Sequence, residues 1–153
     1  MKTDLMEAQP PTAGGTSAMT RMRYGTCEVD VALTAKTVRR VRNLISSCLS
    51  LWGLTELDMR VGLVSSELLT NAFLHARKDG EASVPVKVVL TRTPDGVFLS
   101  ISDPNPRHPV LLDPRETDEG GRGLALVKAI SNGFGCSSTA YGKDVWVTVL
   151  HPS

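Results

Sequence analysis

The sequence predicts an α/β two-layer sandwich, with a mixed, mainly antiparallel sheet and helices packed on one face. Three observations predict it. Apolar residues recur at helical spacing in two adjacent segments, near residues 34–51 and 55–77. Two pairs of alternating segments, each folded about a Gly-containing turn, read as hairpins near residues 86–103 and 134–151. A short third helix falls between the hairpins, so the order is β-α-α-β-β-loop-α-β-β.

The chain has 153 residues, enough for one domain with a real core. Residues 1–22 hold Pro10-Pro11 and Gly14-Gly15 and show no periodicity, so they are expected to be a disordered leader to a single domain over 23–153. The leader lacks the continuous apolar stretch of a signal peptide, and no later segment approaches a membrane span. Tyr24 to Ala32 alternates loosely, as an edge strand would. Thr34 is placed to cap a helix that runs to about Leu51 and ends at Gly53. A second helix is expected from Thr55–Asp58 to about Arg77. The strands VKVVLTRT and GVFLSISD turn at Pro94-Asp95-Gly96. From Pro104 to Glu119 the chain is a long Pro- and acid-rich loop, a kind that is often functional. The third helix is expected over about Gly123 to Ser131, and the closing hairpin turns around Gly142-Lys143. A net charge of +1 without a dense basic run argues against nucleic-acid and membrane-surface binding. Three cysteines at wide spacing give neither a disulfide framework nor a zinc pattern, so a reducing cytoplasmic location is expected.

Three features carry chemistry. At about 100° per residue, Glu67, Asn71 and His75 fall within roughly an 80° arc of the second helix, among aliphatic neighbours. Burying such groups unpaired costs a few kcal/mol or so, and a hydrated divalent metal with a phosphate would satisfy them. A partly exposed polar edge with no ligand gives the same pattern. Next, Gly120, Gly121 and Gly123 stand before an apolar helix, where free N–H groups and a positive dipole end suit an anion. Taken alone, this is also a flexible turn; no Gly-Lys-Ser/Thr follows, so it is not a P-loop. Finally, Asp103 ends a strand, where a carboxylate can accept a hydrogen bond from an exocyclic amine, or can simply start a turn before Pro104.

In this order the features resemble the GHKL (Bergerat-fold) ATPase superfamily, and within it the small bacterial anti-sigma factor serine/threonine kinases and their single-domain relatives. Glu67–Ala76 resembles the N box, Asp103 the adenine-binding acid, and Gly120–Val127 the second glycine box. The resemblance implies that Asn71 ligates Mg²⁺ and that Glu67 is the general base. Asp103 would read adenine; Gly121, Arg122, Gly123 and Leu124 would line the phosphates of ATP, with His75 a further candidate there. Two departures stand out. The first glycine box is replaced by Asp103-Pro104-Asn105-Pro106-Arg107-His108-Pro109, whose prolines stiffen the rim. Lys143 stands where several relatives carry Thr next to the adenine-binding acid, and is read here as a charged turn residue.

Two functions follow from the resemblance. One is a Mg²⁺-ATP-dependent anti-sigma factor that phosphorylates a serine of a STAS-type anti-anti-sigma protein and otherwise binds its sigma factor. The other is an ATP-binding regulatory module without kinase activity that sequesters a partner protein. A homodimer is compatible with the family.

Overall fold

Thr34 ends a strand and starts a helix. Its Oγ1 accepts from the Thr37 N–H at 3.3 Å, while Thr37 Oγ1 accepts from the Thr34 N–H at 2.6 Å. This is a reciprocal capping box with Thr in the place more often held by Glu. Helix α1 then runs over Ala35–Leu51 and buries Val41, Ile45, Cys48 and Leu49 along one stripe. It stops in a Schellman motif: Leu54 N–H reaches Leu49 O at 2.8 Å, Gly53 N–H reaches Ser50 O at 3.1 Å, and Gly53 takes φ 72°. Both ends are where the sequence predicts them.

The computed structural model describes residues 6–7, 18–78, 80–107 and 120–152, with the side chains of 6–7 and 120–124 excepted. After a 3-10 turn over Thr55–Leu57, helix α2 spans Asp58–Ala76 and helix α3 spans Gly120–Ile130. The strands are β1 (Met6–Glu7), β2 (Ala18–Arg23), β3 (Thr26–Leu33), β4 (Val84–Thr93), β5 (Gly96–Asp103), β6 (Gly133–Thr139) and β7 (Gly142–Leu150). They form one sheet in the order β1-β2-β3-β4-β5-β7-β6. Every described pairing is antiparallel, so no parallel component accompanies the expected antiparallel one. No helix among the described residues is long and apolar enough to cross a membrane.

Two expectations change. Residues 18–22, assigned to the leader, belong to β2, which pairs along its length with β3. Strand β3 is therefore interior, flanked by β2 and β4, and not an edge. The rest of the leader, apart from Met6–Glu7, lies outside the described residues.

The sheet buries one face against the helices. Cys27, Val29, Val31 and Leu33 of β3 point inward, as do Val84, Val86, Val88 and Leu90 of β4. The same alternation in β5 gives Val97, Leu99, Ile101 and then Asp103; in β7 it gives Lys143 and then Val145, Val147 and Val149. Period-two geometry thus carries two charged residues to the end of otherwise apolar rows. Each aliphatic side chain in those rows contributes about 1.5–3 kcal/mol by leaving water. Cys27 and Cys48 meet in this core as free thiols, and the neighbouring Cys48 thiol together with burial pushes the Cys27 pKa well up.

On the opposite face Phe98 and Trp146 stack with ring centroids 5.8 Å apart. Gly135 is paired to Trp146, and a Cβ there would lie 2.0 Å from Cζ2 of the indole. Gly135→Ala is therefore expected to displace the ring and cost about 1–3 kcal/mol. Thermal unfolding checks this, with a drop of roughly 2–4 °C per kcal/mol expected for a chain this size.

Candidate functional site

Helix α2 is amphipathic, although its sequence looks apolar on nearly every side. Val61, Val64, Ser65, Leu68, Leu69, Ala72 and Ala76 are buried, while Leu63 and Leu74 are 37% and 54% exposed. Glu67 and Asn71 lie half-buried on the border between these faces, and His75 is exposed. The stripe is thus a polar edge one helical turn apart and not a set of buried groups. Among the described residues, no side chain bonds to Glu67, Asn71 or the His75 imidazole. His75 does contribute its backbone: Asn105 Nδ2 donates to the His75 carbonyl at 3.0 Å, tying the rim after β5 to the last turn of α2.

That rim is stiff for reasons beyond its prolines. Asn105 N–H donates to Asp103 Oδ1 at 2.8 Å, and Arg107 N–H donates to Asn105 Oδ1 at 3.0 Å. Two Asx turns in succession fix Asp103 through Arg107. His108 and Pro109, the rest of the proline-rich segment, lie outside the described residues.

Lys143 corrects the sequence reading most. The turn of the closing hairpin is Ala140–Tyr141, and Lys143 is already the second residue of β7, in register with Asp103 of β5. Both side chains face the helix layer, 7% and 3% exposed. Lys143 Nζ donates to Asp103 Oδ1 at 3.0 Å and to the Asn105 carbonyl at 3.1 Å. A residue expected to be a solvated turn charge is a buried partner of the acid singled out for base recognition. The strand register brings together two positions forty residues apart and buries both.

Gly121, Arg122, Gly123 and Leu124 also move. They sit inside the first turn and a half of α3, which begins at Gly120 rather than near Gly123. The N–H groups of a first helical turn have no partner four residues back and carry the positive end of the dipole. Sequence reasoning did not single out Arg60, which holds the end of α3. Its guanidinium donates to the Ile130 carbonyl at 3.0 and 3.3 Å, to the Leu150 carbonyl at 2.7 Å and to Asn132 Oδ1 at 2.8 Å. The end of α3 is thereby pinned beside the first turn of α2. Helix α3, eleven residues long, packs against α2, and its first turn lies at the end remote from Arg60. Arg60→Ala is expected to cost about 2 kcal/mol by orphaning those carbonyls. Arg60→Lys should recover only part, since an ammonium cannot reproduce the fork; urea unfolding of both variants checks it.

Asn71 offers a neutral oxygen and Glu67 a carboxylate, both unpartnered among the described residues and both suited to a hard, hydrated cation such as Mg²⁺. The open face of the sheet carries a groove of about 810 Å³, lined in part by Arg21, Asp30, Lys87, Ser102, Asp144 and the candidate acid Asp103. It includes none of Glu67, Asn71 and His75.

Compared with known families, residues 31–149 match the family model of the histidine kinase-like ATPase domain. The matched span contains Glu67, Asn71, His75, Asp103, Lys143 and all of α3, and begins within β3. No curated protein matches the chain.

Proposed function

The chain belongs to the histidine kinase-like ATPase domains of the GHKL superfamily, whose members bind ATP, and on that premise we propose that it is a Mg²⁺-ATP-dependent anti-sigma factor of the cytoplasm. In this reading it phosphorylates a serine or threonine of a STAS-type anti-anti-sigma protein, and it holds a sigma factor when that partner is unavailable. The observation that carries the reading is Glu67, one helical turn before Asn71 at the α2 edge, with no described protein group claiming its carboxylate. A module that only binds nucleotide has less need of a free base there.

Asn71 would hold Mg²⁺ through its side-chain oxygen; the bound ion neutralises phosphate charge during transfer. Asp103 would accept a hydrogen bond from the adenine amine, and the first turn of α3, including Gly121 and Arg122, would donate N–H groups to phosphate oxygens. Gly123 and Leu124 continue that turn. Glu67 would take the proton of the acceptor hydroxyl as its oxygen bonds to the γ-phosphorus and the bond to ADP breaks. In-line transfer depends mainly on positioning and electrostatics, so this short set is chemically sufficient. His75, exposed on the last turn of α2, has no assigned part in it.

A second reading is an ATP-binding module that acts by sequestering a partner; it keeps Asp103 and the first turn of α3 and needs no base at Glu67. Incubating the protein with γ-labelled ATP, Mg²⁺ and candidate STAS proteins separates the two. Label on a STAS serine or threonine supports the kinase. Saturable ATP binding with no label on any candidate favours the sequestering module.

A further inference from the structure

The acid at the end of β5 meets any base with part of its bonding capacity already used. Oδ1 of Asp103 accepts from Asn105 N–H and from Lys143 Nζ. Among the described residues no donor reaches Oδ2. Lys143 Nζ has three protons, and two are committed, to Asp103 Oδ1 and the Asn105 carbonyl. The pair therefore retains one acceptor on the carboxylate beside one donor on the ammonium.

Its position is fixed by more than its charges. Asp103 and Lys143 are directly paired across β5 and β7. A Cβ at Gly142 would lie 2.1 Å from Asp103 O and 2.7 Å from Pro104 Cα, so the two backbones approach as closely as only glycine permits. The Asx turn at Asn105 closes the other side. Separating two such charges inside the protein would leave each without its counter-ion, which is far costlier than binding a ligand to the intact pair.

We propose that the ion pair reads the nucleotide base as a unit: Asp103 Oδ2 accepts from the exocyclic amine of adenine while Lys143 Nζ donates its third proton to the adjacent ring nitrogen N1. Lys143 is thus a specificity-determining residue of the nucleotide site. This rests on the ATP-binding reading above and extends it, because a lone carboxylate reads only the amine.

The test compares ATP with 1-deazaadenosine triphosphate, in which N1 is replaced by C–H and the exocyclic amine is kept. Affinities are measured by calorimetry in Mg²⁺ for the wild type and for the double variant Asp103→Asn with Lys143→Met. The double variant leaves no buried charge unpaired and keeps an oxygen for the amine. A hydrogen bond from a charged donor predicts that the wild type prefers ATP by about tenfold to a hundredfold. The double variant should bind both triphosphates alike, and more weakly than the wild type binds ATP. Equal wild-type affinity for the two compounds would overturn the proposal. So would an unchanged preference in the double variant, since N1 would then be read by another group. Failure of the wild type to bind ATP itself at millimolar concentration would overturn the ATP-binding reading and this proposal with it.

Discussion

Glu67→Ala is expected to lower phosphoryl transfer to a STAS serine or threonine by about 100- to 10,000-fold while leaving Mg²⁺-ATP affinity within a few-fold of the wild type. That range is the usual contribution of a positioned general base. Glu67 is half-buried on the α2 edge and no described group depends on its carboxylate, so its removal orphans nothing. The fold should therefore survive, and an unchanged melting temperature would show that the loss is chemical. Glu67→Gln sharpens the result, because it keeps the shape and removes the basicity. Equal losses in both variants support proton transfer. Full transfer by Glu67→Gln would assign Glu67 a packing or orienting part and remove the base from the account.

Lys143→Met alone is expected to destabilise the protein by about 3–5 kcal/mol, a large fraction of the stability of a domain this size. The side chain would still fill its place under the helix layer, but Asp103, 3% exposed, would be left with a buried charge and no counter-ion. Adding Asp103→Asn to Lys143→Met should return most of the loss, because two neutral groups need no compensation. Urea unfolding of the wild type, both single variants and the double variant gives the coupling energy directly. A Lys143→Met protein that unfolds with the wild type would mean that the pair is solvated in solution and that Lys143 is the surface charge its sequence position suggests.

Much of the architecture could be read from local chemistry. The capping box at Thr34 and the Schellman stop at Gly53 use only neighbouring residues, so α1 is legible at both ends. Strand β2 was not, because AMTRMR is short, follows a Pro- and Gly-rich segment and becomes a strand through pairing with β3. The start of α3 was missed for a related reason. Three glycines within four residues, each costing about 1 kcal/mol in a helix, argue for a turn, yet they open a helix that as a whole packs against α2 and is held at its far end by Arg60. At the candidate site, the sequence shows the types and order of Glu67, Asn71 and Asp103, but not their burial. The sequence of α2 cannot say which apolar side faces water, so it left a buried stripe and a partly exposed edge both open, and the stripe lies at the edge. The resemblance puts Lys143 next to Asp103, but its burial and the ion pair were not legible, since a one-residue change of register would place Lys143 on the other face of the sheet.

The most direct measurement of the central claim is a calorimetric titration of the protein with ATP, with Mg²⁺ and with chelator, run beside Asn71→Ala. Saturable binding of one nucleotide per chain is predicted in Mg²⁺, weakened about tenfold or more in Asn71→Ala, a difference of ~1.4 kcal/mol or greater. With chelator present, the wild type and the variant should become alike, because Asn71 acts through the metal. A wild-type protein that takes up no ATP at millimolar concentration in Mg²⁺ would contradict the account at its root.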